Sequence, residues 1–239
     1  MVSAHDPHAA SDSPELITRV AALVEARTAA QSGPSPKLVV ITGSVAVGKS
    51  TFAAALGAEL ARRSGLSVEV VATDGFLRSE EVLSSEGLLE RKGFPESYDA
   101  ARFAAFLGEV EQGAARLTVP VYSHRTRSAD TQRELALPGW LLIEGVYAVQ
   151  PIRAAGLDAC VIYLDAEQAD VRAWYFARRR TLRDPGADHT ALDVLALRAW
   201  EDTNVPNYTA HISLQRAVAD LVVVKGADHQ LIEVRPRSG

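Results

Sequence analysis

The run Gly43-Ser44-Val45-Ala46-Val47-Gly48-Lys49-Ser50-Thr51 has the residue types and spacing for phosphate chemistry. It matches G-x-x-x-x-G-K-[ST], a pattern short enough to need its strand–loop–helix context as support. Gly43 and Gly48 permit a tight path that turns backbone N–H groups inward as an anion nest. A following helix adds its positive N-terminal end. Lys49 supplies a point charge for the β- and γ-phosphates, and the Ser50 hydroxyl is a ligand for Mg²⁺. The whole run 43–51 is therefore the candidate ATP site.

Two carboxylates follow apolar strands. The segment 68–73 runs into Asp74-Gly75-Phe76-Leu77, and Trp140-Leu141-Leu142-Ile143 runs into Glu144-Gly145. In an open parallel sheet, ligands collect at the carboxyl ends of the strands. Asp74 there can accept a proton from an attacking hydroxyl or hold Mg²⁺ through water; the bland alternative is an ordinary Asp-Gly turn. Glu144 is the candidate second carboxylate directed at Mg²⁺, against an exposed turn glutamate. Arg178, Arg179 and Arg180 close a helix before Asp184-Pro185-Gly186 and suggest a small lid that neutralises a transferring phosphoryl group. The alternative is a helix C-terminus dressed with favourable cations. Tyr175 shares a helix face with Arg178. Lys92, in the loop Arg91-Lys92-Gly93-Phe94-Pro95-Glu96-Ser97-Tyr98-Asp99, is a candidate to approach phosphate or substrate, against a solvated lysine. Tyr122-Ser123-His124-Arg125 offers four hydrogen-bonding side chains in a row, although a lone histidine at a strand end is usually structural.

These residues need elements to hold them. Ser13-Pro14 reads as the start of an amphipathic helix reaching about residue 30, preceded by a flexible polar stretch 1–12. The division expected is 1–36 as flexible N-terminus plus helix and 37–239 as a single domain. Strands at 39–43, 68–73, 140–143, 160–164 and 219–225 alternate with helices, and 231–234 adds a short antiparallel edge. The expected fold is α/β, doubly wound, with about five mainly parallel strands and right-handed crossovers. Residues 117–121, with Pro120, read as an edge or hairpin arm, 125–135 as loop or turn, and Asp165 as the cap of the lid helix. Asp99 reads as the N-cap of a helix carrying Phe103, Phe106, Leu107 and Val110.

The 239 residues carry a net charge of −5. That argues against nucleic acid or an anionic membrane as the main partner. A single cysteine, Cys160, excludes an intrachain disulfide and a cysteine-based metal site. No apolar run has the length of a membrane span, and the first twenty residues lack signal-peptide order, so the expected location is cytoplasmic.

The motifs taken together, with Pro120-Val121-Tyr122-Ser123-His124, Ile143-Glu144-Gly145, Trp174-Tyr175 with Arg178, and Asn204 with Asn207, strongly resemble bacterial type I pantothenate kinase from about residue 37 onward. The resemblance implies a P-loop NTPase fold and transfer of the ATP γ-phosphoryl group to the primary hydroxyl of pantothenate. It implies Lys49 and Ser50 on phosphates and Mg²⁺, Asp74 as base, and Arg178 facing phosphate. Tyr122, His124, Tyr175 and Asn207 would line the acceptor pocket, with Lys225 and His229 near the adenine, and the family often forms homodimers. Two features depart from the family. The segment 179–189 is short and lacks the phenylalanines that enclose the family's substrate, and Ala54 stands where the family has an arginine that contacts inhibitory coenzyme A. Two further readings are a kinase for another small alcohol, such as a nucleoside or sugar, and a nucleotide-binding regulatory protein. Asp74 speaks against the last, since a carboxylate there suits a hydroxyl acceptor.

Overall fold

The structure is a computed structural model and describes residues 13–31, 33, 35–123, 128–181 and 189–237. The expected flexible stretch 1–12 lies outside them. Helix α1 (Pro14–Arg27) begins with proline at its first turn, and the Ser13 side chain makes no cap bond. Strand β1 (Lys37–Gly43) feeds α2 (Lys49–Ser64), which Gly65 ends in the left-handed conformation at φ 69°. Strand β2 (Val68–Ala72) ends in the 3₁₀ turn Thr73–Phe76, followed by α3 (Glu80–Ser85) and α4 (Ala100–Glu111). Asp99 caps α4 by accepting from the Arg102 N–H, as expected. The chain continues through β3 (Arg116–Ser123), β4 (Ser128–Ala136), β5 (Trp140–Glu144), α5 (Val149–Ala154), β6 (Cys160–Asp165), α6 (Gln168–Thr181) and α7 (His189–Arg198). Residues 199–212 wind mainly as π-helix, and β7 (Leu221–Lys225) and β8 (Leu231–Pro236) finish the chain.

The main sheet has the order β2-β5-β1-β6-β7-β8, with the first five strands parallel and β8 antiparallel. The two-residue period of β1 explains its two layers. Val39 and Ile41 face a core with Val20, Val24, Phe52, Leu56 and Leu60 from α1 and α2. Leu38 and Val40 face the other core, with Phe76, Phe103, Phe106 and Ile152. Burial of each such large side chain stabilises the fold by about 1.5–3 kcal/mol. Helix α1 is tied down further by Arg27, whose guanidinium bonds Asp158 and Asp220. No helix of the described residues is long and apolar enough to cross a membrane.

Two local expectations are corrected. Of residues 125–135, expected as loop or turn, 128–135 belong to β4, which pairs antiparallel with β3. Pairing overrides composition here: among the described side chains of the strand Ala129 and Leu135 are buried, while Arg133 reaches Glu69 and the Val70 carbonyl. Asp165 closes β6 and pairs with Arg216 at 3.0 Å; α6 begins only at Gln168, after the Glu167 carbonyl accepts from Asp170 and Val171.

Candidate functional site

The register of the sheet sets the site. Glu144 lies level with Ile41 on one side and Ala72 on the other. The phosphate loop, the Asp74 turn and Glu144 therefore converge at the carboxyl edge. Gly43 passes Leu164 so closely that a Cβ would stand 2.5 Å from its carbonyl oxygen. Gly48 sits at φ 87° immediately before α2, and Ala46 is held at φ 59°, a conformation non-glycine residues seldom adopt.

Lys49, the first residue of α2, folds back over the loop, and its Nζ donates to the carbonyls of Ser44 (2.8 Å) and Gly43 (3.2 Å). Burial lowers its pKa, while Glu144 and Asp74 oppose that shift. The Ser50 hydroxyl donates to Glu144 Oε1 at 2.7 Å. Burial raises the Glu144 pKa, with Lys49 as the main opposing influence. Arg178 acts electrostatically on both Lys49 and Glu144 from α6. Lys49, Asp74, Glu144 and Arg178, far apart in sequence, thus form one charged cluster, which Ser50 joins through its bond to Glu144.

Lys225, at the end of β7, is only 4 % exposed. A Cβ on Gly48 would stand 3.2 Å from its Nζ, so this amine reaches the phosphate loop itself. His229, at φ 66° in the β7–β8 turn, stacks on Trp174 with ring centroids 3.8 Å apart. The Trp174 indole also donates to the Ala227 carbonyl, fixing that turn against α6.

The acceptor-side candidates separate. Lys92 Nζ bonds Glu80 and the Tyr122 hydroxyl, each at 2.8 Å, and lies over the Tyr122 ring. Asn207 is buried and donates to the Gly93 carbonyl at 2.8 Å, holding the loop that carries Lys92. Thr203 grips the same loop through the Glu90 carbonyl. Strand β3 crosses the Asp74 turn so tightly that a Cβ on Gly75 would overlap the Pro120 carbonyl. That brings the strand carrying Tyr122 beside Asp74. Tyr175 packs instead with Phe176 and Trp200, each ring centroid 5.3 Å away. His124 and most of the segment 179–189 lie outside the described residues.

Sequence reading missed Gln215. Its buried carboxamide accepts from Thr42 Oγ1 and donates to the Val146 carbonyl, both at 2.8 Å. It ties the end of β1 to the loop following Glu144, and no local signal marks it. Gly145 is a second such constraint, since a Cβ there would overlap Thr73 Oγ1. Gly145→Ala is expected to cost about 2–3 kcal/mol of stability, the scale of a forced overpacking. Denaturant titration checks this. Adding Thr73→Ala should recover part of the loss, and an unchanged midpoint in the single variant would contradict the contact.

A parallel sheet whose central strand opens into this loop, with carboxylates at the tips of both strands on one side, defines a phosphate-loop phosphotransferase. The chain belongs to the phosphoribulokinase/uridine kinase family, whose model matches residues 38–232. It is an ATP-dependent kinase of a small molecule. A pantothenate kinase of Sorangium cellulosum is 40% identical over 227 residues, covering 86% of this chain and 74% of that protein. A pantothenate kinase of Corynebacterium diphtheriae is 38% identical, covering 84% and 72%. Among solved structures, D-glycerate 3-kinase from Cryptococcus neoformans superposes with a TM-score of 0.67 at 12% identity, covering 93% of this chain and 99% of that one. Phosphoribulokinase from Rhodobacter spheroides gives 0.54 at 18%, covering 80% and 71%. Both share the fold.

Proposed function

We propose that this chain transfers the γ-phosphoryl group of ATP to the primary hydroxyl of pantothenate. The observation that carries the chemistry is the convergence of Asp74, Lys49 and the Ser50–Glu144 pair at one sheet edge. The acceptor is read from the relatives that match most of the chain. In this reading the acceptor oxygen attacks the γ-phosphorus and its proton passes to Asp74. The bond to the β–γ bridging oxygen breaks, and ADP leaves. Lys49 exchanges its loop carbonyls for phosphate oxygens, and Arg178 neutralises charge developing on the transferred group. Lys225 adds a second cation at the loop, and His229 lies beside the nucleotide end of the crevice. Lys92, Tyr122, His124, Asn207 and Tyr175 belong to the acceptor side, Asn207 by holding the Lys92 loop and Tyr175 from the helix that also carries Arg178.

Ser50 and Glu144 would hold Mg²⁺. Their donor set, one hydroxyl and one carboxylate, fits a hard cation that keeps waters and substrate phosphates as its other ligands. The ion supplies neutralisation of the phosphate charge when bound. Because burial raises Glu144 above its ordinary value of 4.5, the folded chain keeps a proton that the unfolded chain has lost in the window above that value. Stability therefore falls as pH rises through the window. Glu144→Gln removes that loss, so the nucleotide-free variant should melt above the parent at pH 8. The Mg²⁺ concentration for half-maximal activity should rise about tenfold or more, the scale for a disrupted metal environment. Melting curves against pH and a Mg²⁺ titration check both; a lower Tm with unchanged Mg²⁺ demand would contradict the assignment.

The kinase domain in this reading is 37–239, with α1 packed on its outer face. The net charge of −5 favours small-molecule partners over nucleic acid or an anionic membrane. We place the enzyme in the cytoplasm as a homodimer. ADP release with Mg-ATP against pantothenate, uridine, cytidine, glycerate and a pentose tests the acceptor. Saturable turnover on pantothenate at kcat/KM of about 10⁴ M⁻¹s⁻¹ or better is expected. Preference for another member of the panel would replace pantothenate while leaving the kinase chemistry in place.

A further inference from the structure

Two buried hydroxyls, Thr73 Oγ1 in the Asp74 turn and Tyr98 Oη on the segment bridged to it, have no hydrogen-bond partner among the described residues. Native structures rarely bury a hydroxyl in this way without a reason. Tyr98 is 4 % exposed, and its ring packs on Tyr147 with centroids 4.7 Å apart. Its backbone is joined to the turn that carries Asp74. Leu77 bridges Tyr98, the Arg78 N–H donates to the Ser97 carbonyl, and the Asp99 N–H donates to the Phe76 carbonyl. Leu77 in turn donates its N–H to the Asp74 carbonyl. The Tyr98 hydroxyl stands close enough to Thr73 for that side chain to bias its proton, and within electrostatic reach of Asp74, Glu144 and Tyr147.

Asp74 presents the complementary lack. It is half-buried, and no side chain among the described residues donates a hydrogen bond to its carboxylate. Glu144 differs, because Ser50 already occupies one of its oxygens. A buried donor without an acceptor and a carboxylate without a side-chain donor thus lie on two segments joined by the Leu77–Tyr98 bridge.

We propose that Tyr98 is a positioning residue for phosphoryl transfer: its hydroxyl, steadied by Thr73, donates to the Asp74 carboxylate and aims the oxygen that takes the acceptor's proton. The proposal rests on Asp74 being the base. It gives the 91–99 loop a direct task, since that loop carries Tyr98 to the base and Lys92 to the acceptor side. A donor to the charged form favours that form. Lys49 from α2 and Glu144 from β5 act on Asp74, Arg178 from α6 acts on Glu144, and Tyr147 faces Tyr98 from the loop after β5, so the comparison must hold them constant.

Tyr98→Phe does this, keeping the ring and its packing. It should lower kcat about tenfold, within the range that misplacement of a reacting group produces, with the KM for ATP unchanged. The acidic limb of the kcat/KM–pH profile should move to higher pH by about half a unit or more, because a carboxylate that has lost its donor protonates more readily. In the Asp74→Asn background the same change should cost nothing further. An unmoved limb with parental kcat, or a loss fully additive to that of Asp74→Asn, would overturn the proposal. Should Tyr98→Phe fold poorly, Thr73→Val removes the companion hydroxyl isosterically and is expected to shift the limb in the same direction; no shift there overturns the proposal equally. A parent that transfers phosphoryl to no acceptor would overturn the kinase reading itself, a result distinct from an active parent matched by an active Tyr98→Phe.

Discussion

Asp74→Asn should bind Mg-ATP as the parent does and transfer its phosphoryl group at least about a hundredfold more slowly, the scale of losing a general base. The prediction divides two tasks that the fold places on different elements. In the proposed reading nucleotide is gripped by the loop between Gly43 and Gly48, by Lys49 and by the N-terminal end of α2. In the proposed reaction the acceptor's proton is taken just past the tip of β2, where Asp74 is the second residue of the turn Thr73–Phe76. A carboxamide has the volume of the carboxylate and none of its basicity, so the turn and its Leu77–Tyr98 bridge should persist. Nucleotide titration and single-turnover phosphoryl transfer read the two tasks separately. Undiminished transfer in the variant would remove Asp74 as the base. Lost nucleotide binding would make it part of the phosphate grip instead.

The second large effect belongs to Lys49. Lys49→Met should lower kcat/KM for ATP by about 10²–10³-fold, the scale for removing one preorganised donor to developing charge. Its amine stands ready over the Ser44 and Gly43 carbonyls, beside Glu144 and Asp74. The same variant carries a stability signature. Burial lowers the Lys49 pKa below its ordinary 10.5, so in the window just below that value the unfolded chain binds more protons than the folded one. Stability contributed by this group therefore rises with pH through that window. Methionine removes the slope, and denaturant midpoints between pH 7 and 10 would show a flatter profile. A variant with parental kcat/KM would contradict the role, and an unchanged slope would contradict the burial argument.

The parts of this site that were legible in the sequence are those written locally. Largely apolar runs ending in a glycine loop, in Asp74 and in Glu144 announced three strand tips, and parallel α/β topology brings such tips to one edge. Asp99 as a cap and the phenylalanines of α4 were equally local. What escaped depends on partners distant in the chain. Strand β4 is polar and becomes a strand only through its pairing with β3. Gln215 matters because Thr42 and Val146 meet it, and Tyr98 because its buried hydroxyl comes within electrostatic reach of Asp74. Lys225 was grouped with the adenine end of the site, whereas its amine touches Gly48; only the neighbouring positions of β1, β6 and β7 reveal that reach. The acceptor candidates were found as residue types, but their arrangement was not. Asn207 spends its carboxamide on Gly93, and Tyr175 sits among aromatic rings.

The central claim is transfer of the γ-phosphoryl group of ATP to a hydroxyl of pantothenate at the edge where Lys49, Asp74 and Glu144 meet. Its most direct test is to incubate the parent and Asp74→Asn with Mg-ATP and pantothenate and to follow products by ³¹P NMR and mass spectrometry. The account predicts, for the parent, one phosphomonoester on the primary hydroxyl for each ADP formed, with this product nearly absent from the variant over the same time. ADP and inorganic phosphate without phosphorylated pantothenate, or equal product from both proteins, would contradict it.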